Sequence, residues 1–112
     1  MVGADTLILN QTITSSSVVF EQIERTQPGS LLSCAGGSIG GPLGAARGAK
    51  LAAPDKTVVS LMGDGAFVWG CPTAALWSAR SYHAPFLAVI FNNQSYAAIK
   101  GLVQTGFGAE KL

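Results

Sequence analysis

Short apolar runs alternate with longer stretches of mixed apolar and polar character from one end of this chain to the other. The runs Thr6 to Asn10, Leu31 to Cys34, Thr57 to Met62 and Phe86 to Phe91 are rich in Leu, Ile and Val and bounded by Asp, Gly, Pro or Asn, which predicts buried β-strands. The mixed stretches predict helices near Ser17 to Arg25, Pro42 to Ala52, Pro72 to Tyr82 and Tyr96 to Gln104. Pro54-Asp55 and Ala84-Pro85 mark helix-to-strand turns. Near-continuous apolar strands alternating with helices imply an α/β fold, a parallel sheet with helices on both faces. No linker, internal repeat or low-complexity tract divides the 112 residues, so a single domain over residues 1–112 is expected, at the small end for such a sheet.

Composition narrows the class of function. At 48% apolar and 12% charged residues with a formal net charge of +1, the chain reads as a soluble globular protein. Lys50, Lys56, Lys100 and Lys111 are scattered, without the basic patch and interleaved aromatics that nucleic-acid binding requires. No apolar run approaches the ~20 residues that span a bilayer, and Met1 to Asn10 lacks a basic segment before an apolar core, so a cytoplasmic location without membrane contact is expected. Cys34 and Cys71 form neither a close pair nor a metal-ligand spacing and are expected to be reduced, buried thiols.

The candidate chemistry lies where strands end. Gly63-Asp64-Gly65 follows one predicted strand and Asn92-Asn93 the next, one strand-helix-strand unit later. Parallel strands joined by a helical crossover place both motifs on one rim of the sheet. A carboxylate and an amide oxygen there suit magnesium, a hard cation that takes few protein ligands and completes its shell with water and phosphate oxygens. A phosphorylated ligand is thereby implied. Gly63 and Gly65 are expected to let the backbone turn sharply and approach that ligand closely. Upstream, Asn10 to Ser17 joins a strand to a helix start, so that Thr14 or Ser15 is placed either to cap the helix or to hold an anion at its N-terminus. A glycine loop, Gly36-Gly37-Ser38-Ile39-Gly40, opens the second predicted helix.

Gly-Asp-Gly, some two dozen residues, then Asn-Asn resembles the fingerprint of thiamine-diphosphate-dependent enzymes. The resemblance covers roughly Asp5 to Gln104 and is nearest to the benzoylformate decarboxylase and acetolactate synthase branch, in which an Ala-Leu-Trp helix (here Ala75 to Trp77) and an Asn-Asn-x-x-Tyr turn (here Asn92 to Tyr96) recur. It implies Asp64, Asn93 and the backbone carbonyl of Ser95 as magnesium ligands. Thr14, Ser15, Ser38, Gly63, Gly65, Ala66 and Tyr96 would complete the thiamine diphosphate site. Ile39 matches the apolar residue that bends the cofactor so that its 4′-amino group meets C2 of the thiazolium, and the Gly37 carbonyl matches the acceptor for that amino group. Ile39 and Gly37 are thus the residues that the resemblance assigns to catalysis. The implied reaction is decarboxylation of a 2-oxo acid or transfer of the resulting fragment to a second carbonyl.

The chain departs from the pattern in places. Ala66 replaces the Ser or Asp often found after Gly-Asp-Gly, and Phe67 to Pro72 absorbs about two extra residues relative to benzoylformate decarboxylases. Ile99 stands where pyruvate decarboxylases carry a catalytic Glu, which disfavours that branch. In the family, the glutamate that activates the cofactor comes from a pyrimidine-binding domain, normally of the partner subunit. The chain is therefore expected to be a fragment of a homo-oligomeric enzyme, inactive in isolation, with apolar surface left exposed. A non-catalytic cofactor-binding or subunit-interaction module is the alternative. An unrelated Rossmann-like nucleotide binder is disfavoured, since Gly36 to Gly44 does not spell G-x-G-x-x-G followed by an acidic ribose partner. His83, the only histidine, is expected on a surface loop away from the rim, and Trp69 and Trp77 are expected to pack.

Overall fold

The computed structural model describes residues 3–33 and 37–108. Four parallel strands, β1 (Thr6–Gln11), β2 (Leu31–Ser33), β3 (Thr57–Gly63) and β4 (Leu87–Phe91), form one sheet in the order β2-β1-β3-β4. Among the described residues, five helices connect or follow the strands: α1 (Ser16–Gln22), α2 (Gly41–Ala52), α3 (Asp64–Trp69), α4 (Pro72–Ser81) and α5 (Ala97–Phe107). A single 3-10 turn, Ile13–Ser15, precedes α1. The expected α/β class and all four expected strands are present. Cys34 and Gly36 lie outside the described residues.

Side chains alternate across a strand, so β1 and β3 each feed two cores. On one face Ile8 and Leu61 pack with Val19 of α1, joined by Val59 and Ile23. On the other, Leu9 and Val58 pack with Ala46 of α2, while Met62, Leu43 and Ala66 form a third cluster reaching α3. Leu43, Ala46 and half-buried Ala49 and Lys50 recur at three- and four-residue spacing, which is why α2 lies along the sheet. Helices therefore cover both faces of the two central strands. The edge differs: β4 exposes Leu87, Val89, Ile90 and Phe91. Among the described residues, no helix is long and apolar enough to cross a membrane.

This topology positions the site. From β1 the chain moves outward to β2, then returns past β1 to place β3 on its other side. The connections leave β1 and β3 in opposite directions at their carboxyl ends, opening a crevice there, the point at which open α/β sheets receive ligands. Gln11 and Met62 are register partners at that rim, with Gly63 one step beyond.

Four expectations are corrected. Gly63-Asp64-Gly65 is not a tight turn: Gly63 is extended (φ −75°, ψ 161°) and Asp64 opens the helix α3, which runs through Phe67 to Trp69. Neither Gly63 nor Gly65 has positive φ; the lack of a Cβ matters at Gly65 because the Tyr96 ring would lie 2.7 Å from one. Cys71 is exposed, in the left-handed region (φ 49°) at the N-cap of α4, because Pro72 begins the helix at once and a sharp reversal must precede it. Trp69 and Trp77 are 68% and 69% exposed, standing on the outer sides of short helices whose small residues, Ala66 and Ala79, take the buried positions. Finally, Ser15 occupies the N-cap of α1 without a side-chain capping bond, and Thr14 lies within the 3-10 turn. His83 is exposed in the loop after α4.

Candidate functional site

A cavity of about 720 Å³ opens at the carboxyl ends of the strands. It gathers four separated segments: Gln11 to Ser15 from the end of β1, Gly37 to Ile39 before α2, Gly63 to Ala66 at the β3–α3 junction, and Phe91 to Asn93, Ser95 to Ile99 and Leu102 from the end of β4 into α5. All the residues singled out from the sequence line it: Thr14, Ser15, Gly37, Ser38, Ile39, Gly63, Asp64, Gly65, Ala66, Asn93, Ser95 and Tyr96. Reasoning from motifs missed Phe91, Ala97, Ala98 and Leu102; Gln11, Thr12 and Ile13 fell inside the Asn10 to Ser17 segment without being singled out, and Ile99 was read only as the place of an absent glutamate.

The rim after β1 is organised by a buried asparagine. Asn10 Oδ1 accepts hydrogen bonds from the Thr12 amide (3.1 Å) and the Thr12 hydroxyl (2.9 Å), and Asn10 Nδ2 donates to Ser16 Oγ (3.2 Å). An Asx turn of this kind replaces backbone bonds that the strand can no longer supply. It occupies the hydroxyls of Thr12 and Ser16. Those of Thr14 and Ser15 have no protein partner among the described residues and are therefore available to a ligand.

The opposite rim is built on exposed asparagines. Asn92 Oδ1 accepts from the Gln94 amide and Asn93 Oδ1 from the Ser95 amide, each at 3.0 Å. These two consecutive turns hold Gln94 at φ 55° and deliver Tyr96 to the N-cap of α5. An amide oxygen carries two lone pairs, so Asn93 Oδ1 retains acceptor capacity.

Between the rims, Asp64 stands at the first position of α3, where a carboxylate is favoured by the helix dipole. It is half-buried, and its carboxylate has no hydrogen-bond or ion-pair partner among the described residues. Asp64 is also the one formally charged side chain lining the cavity among those residues, and no Lys, Arg or His joins it there. No cluster of three His, Cys, Asp or Glu residues is present among the described residues. A metal held here would thus rest on one carboxylate supplemented by amide and carbonyl oxygens, a donor set for a hard, partly hydrated cation and not for zinc.

Ile39 has two surroundings. It is half-buried against the Leu43, Met62 and Ala66 cluster and also faces the cavity. Its loop contains Gly37 at φ 69° and Gly40 at φ 95°, left-handed conformations suited to glycine. At Gly40 a Cβ would stand 2.8 Å from Trp69 Cδ1 and 3.2 Å from the Trp69 carbonyl oxygen, so glycine is also demanded by close approach.

The family described as thiamine pyrophosphate enzyme, C-terminal TPP binding domain, matches residues 12–112. The chain is 33% identical over 96 residues to benzoylformate decarboxylase of Pseudomonas aeruginosa, covering 86% of this chain and 18% of that protein. It is 35% identical over 80 residues to the IlvX protein of Mycobacterium tuberculosis, named for an acetolactate synthase large subunit, covering 70% of this chain and 15% of that protein. The solved structure of a thiamine diphosphate-dependent 4-hydroxybenzoylformate decarboxylase from Rhodococcus jostii RHA1 superposes with a TM-score of 0.84 at 36% identity, covering 93% of this chain and 19% of that one. The chain thus spans less than a fifth of the length of each of these relatives.

Proposed function

Because this chain belongs to the family of thiamine pyrophosphate enzymes, as their C-terminal TPP-binding domain, we propose that its cavity holds thiamine diphosphate together with magnesium, in the service of a 2-oxo acid decarboxylase or carboligase. The observation that carries this reading is the convergence on one cavity of oxygen donors with free acceptor capacity from segments far apart in sequence. The donors fit the cofactor. Asp64, Asn93 and the Ser95 carbonyl would hold the metal, and the Thr14 and Ser15 hydroxyls would hold diphosphate oxygens. The cavity's own charge favours the metal: among the described residues a diphosphate would meet the Asp64 carboxylate with no protein cation lining the cavity, and a bound cation would supply the countercharge.

Ile39 would support the cofactor from below, its β-branched side chain restricted in χ1 and backed by the Leu43 and Met62 core. Gly37, with its backbone exposed, would offer its carbonyl to the amino group. When bound, thiamine diphosphate supplies the electron sink for cleaving or forming a carbon–carbon bond beside a carbonyl. The reaction, its 2-oxo acid substrate and a partner subunit that activates the cofactor are proposed for the whole enzyme, since this chain matches less than a fifth of the length of its relatives.

Calorimetric titration of thiamine diphosphate into the chain, with magnesium and with a chelator, tests the reading. Binding is expected only with magnesium and should weaken at least a hundredfold in an Asp64→Ala, Asn93→Ala double variant. Equal binding with chelator, or by the variant, would overturn it.

A further inference from the structure

Gln11 is 2% exposed at the carboxyl end of β1, and its side chain reaches across to the glycine loop. Its Oε1 accepts a hydrogen bond from the Gly40 amide at 3.1 Å, and its Nε2 donates to the Ser38 carbonyl. These two backbone groups flank Ile39. One needs an acceptor and the other a donor, so a primary amide in a single orientation satisfies both, whereas a carboxylate satisfies one and a hydrocarbon neither. We infer that Gln11 is a positioning residue, fixing the peptide planes on either side of Ile39 and thereby the direction in which Ile39 enters the cavity. The inference rests on the reading of Ile39 as the residue that supports thiamine diphosphate.

The loop needs such a device. Gly37 and Gly40 both take left-handed conformations, and glycines impose little local preference, so the chain between them gains its order from outside. Trp69 confines Gly40 from the α3 side, and the Leu43 cluster receives one flank of Ile39. Neither contact fixes the rotation of the two peptide units. Gln11 does so from the strand that pairs with β3 in register, Gln11 against Met62, so the clamp is anchored in the middle of the sheet and not in another loop.

The test uses the full chain with Gln11→Met, which keeps the shape and removes both bonds, and Gln11→Glu, which keeps the acceptor alone. Two measurements are made on each. Amide hydrogen exchange at Gly40 in the cofactor-free chain should quicken roughly tenfold in Gln11→Met and less in Gln11→Glu. Affinity for thiamine diphosphate with magnesium should fall roughly tenfold in Gln11→Met and be partly restored in Gln11→Glu. In an Ile39→Ala background, the Gln11→Met change should cost less than about twofold, since a residue acting through Ile39 cannot add to its loss. Additive losses in that cycle would overturn the positioning role, as would unchanged Gly40 exchange. If the unaltered chain failed to bind thiamine diphosphate while Gly40 exchange responded as described, the clamp would stand, and both the functional reading and the clamp's service to a cofactor would fall.

Discussion

The two sides of the cavity both begin with asparagine at the end of a strand, yet they are made differently. At the end of β1, Asn10, Gln11 and Thr12 are buried, and their side chains are hydrogen-bonded to protein groups, those of Gln11 across to the glycine loop. After β4, Asn92 and Asn93 are exposed, and the bonds found there run only to amides two residues on. A finished wall thus faces an unfinished one. The finished wall sets the position of the glycine loop, whereas the unfinished one keeps oxygen capacity for a ligand. Organising a site in this way separates stability from binding, and substitutions should separate them too.

The largest loss of stability should come from the finished side. Gly40→Ala would force a left-handed residue to carry a Cβ against the Trp69 side chain and backbone. More than about 2 kcal/mol should be lost, seen as a fall in melting temperature on the order of 10 °C. Next, Asn10→Ala would strip a buried turn of the acceptor for two donors and take from Ser16 one of its two partners. A cost of about 2 kcal/mol is expected, read as a lower urea midpoint at unchanged m-value. An effect as small as that of any surface substitution would erase the contrast between the walls.

On the unfinished side, Asn93→Ala should change the stability of the ligand-free chain by less than about 0.5 kcal/mol, in keeping with an exposed site. It should nonetheless abolish the rise in melting temperature produced by thiamine diphosphate and magnesium, a rise that amounts to about 2.7 kcal/mol at a hundred times Kd. A large intrinsic destabilisation would mean that Asn93 builds the rim instead of serving a ligand. The smallest effect is expected at Ser60, which is fully buried in β3 with no partner for its hydroxyl among the described residues, unlike Asn10. Ser60→Ala should be neutral or stabilising by up to about 1 kcal/mol in the same urea titration.

Much of this was legible beforehand, and the reason is periodicity. The runs ending at Asn10 and Met62 are strands because continuous apolar stretches of that length are stable when both faces are covered, the run ending at Phe91 pairs beside them as the exposed edge, and the intervening lengths suit crossover helices. The motifs at strand ends could then be placed on one rim, where Asp64, Asn93 and Ile39 do share a cavity. What failed was local. Gly63-Asp64-Gly65 reads as a turn because Asp-Gly usually is one, yet α3 forms there since Ala66 gains burial against Leu43 and Met62. Trp69 and Trp77 read as core by type, but the sheet face they might have covered is filled by α2.

Residue order alone carries the class of fold, the order of its elements, and the segments that meet at the carboxyl rim, because strand and helix periods and the parallel crossover rule act over short stretches of chain. Packing in three dimensions was needed to show that Gln11 belongs to the Ile39 loop 27 residues away, that Gly65 is small to admit Tyr96, and that among the described residues Thr14 and Ser15 keep their hydroxyls unspent while Thr12 and Ser16 do not. Those outcomes depend on which distant groups arrive beside each donor and acceptor, and a side chain's hydrogen-bond partner across a sheet leaves no periodic trace in its own neighbourhood.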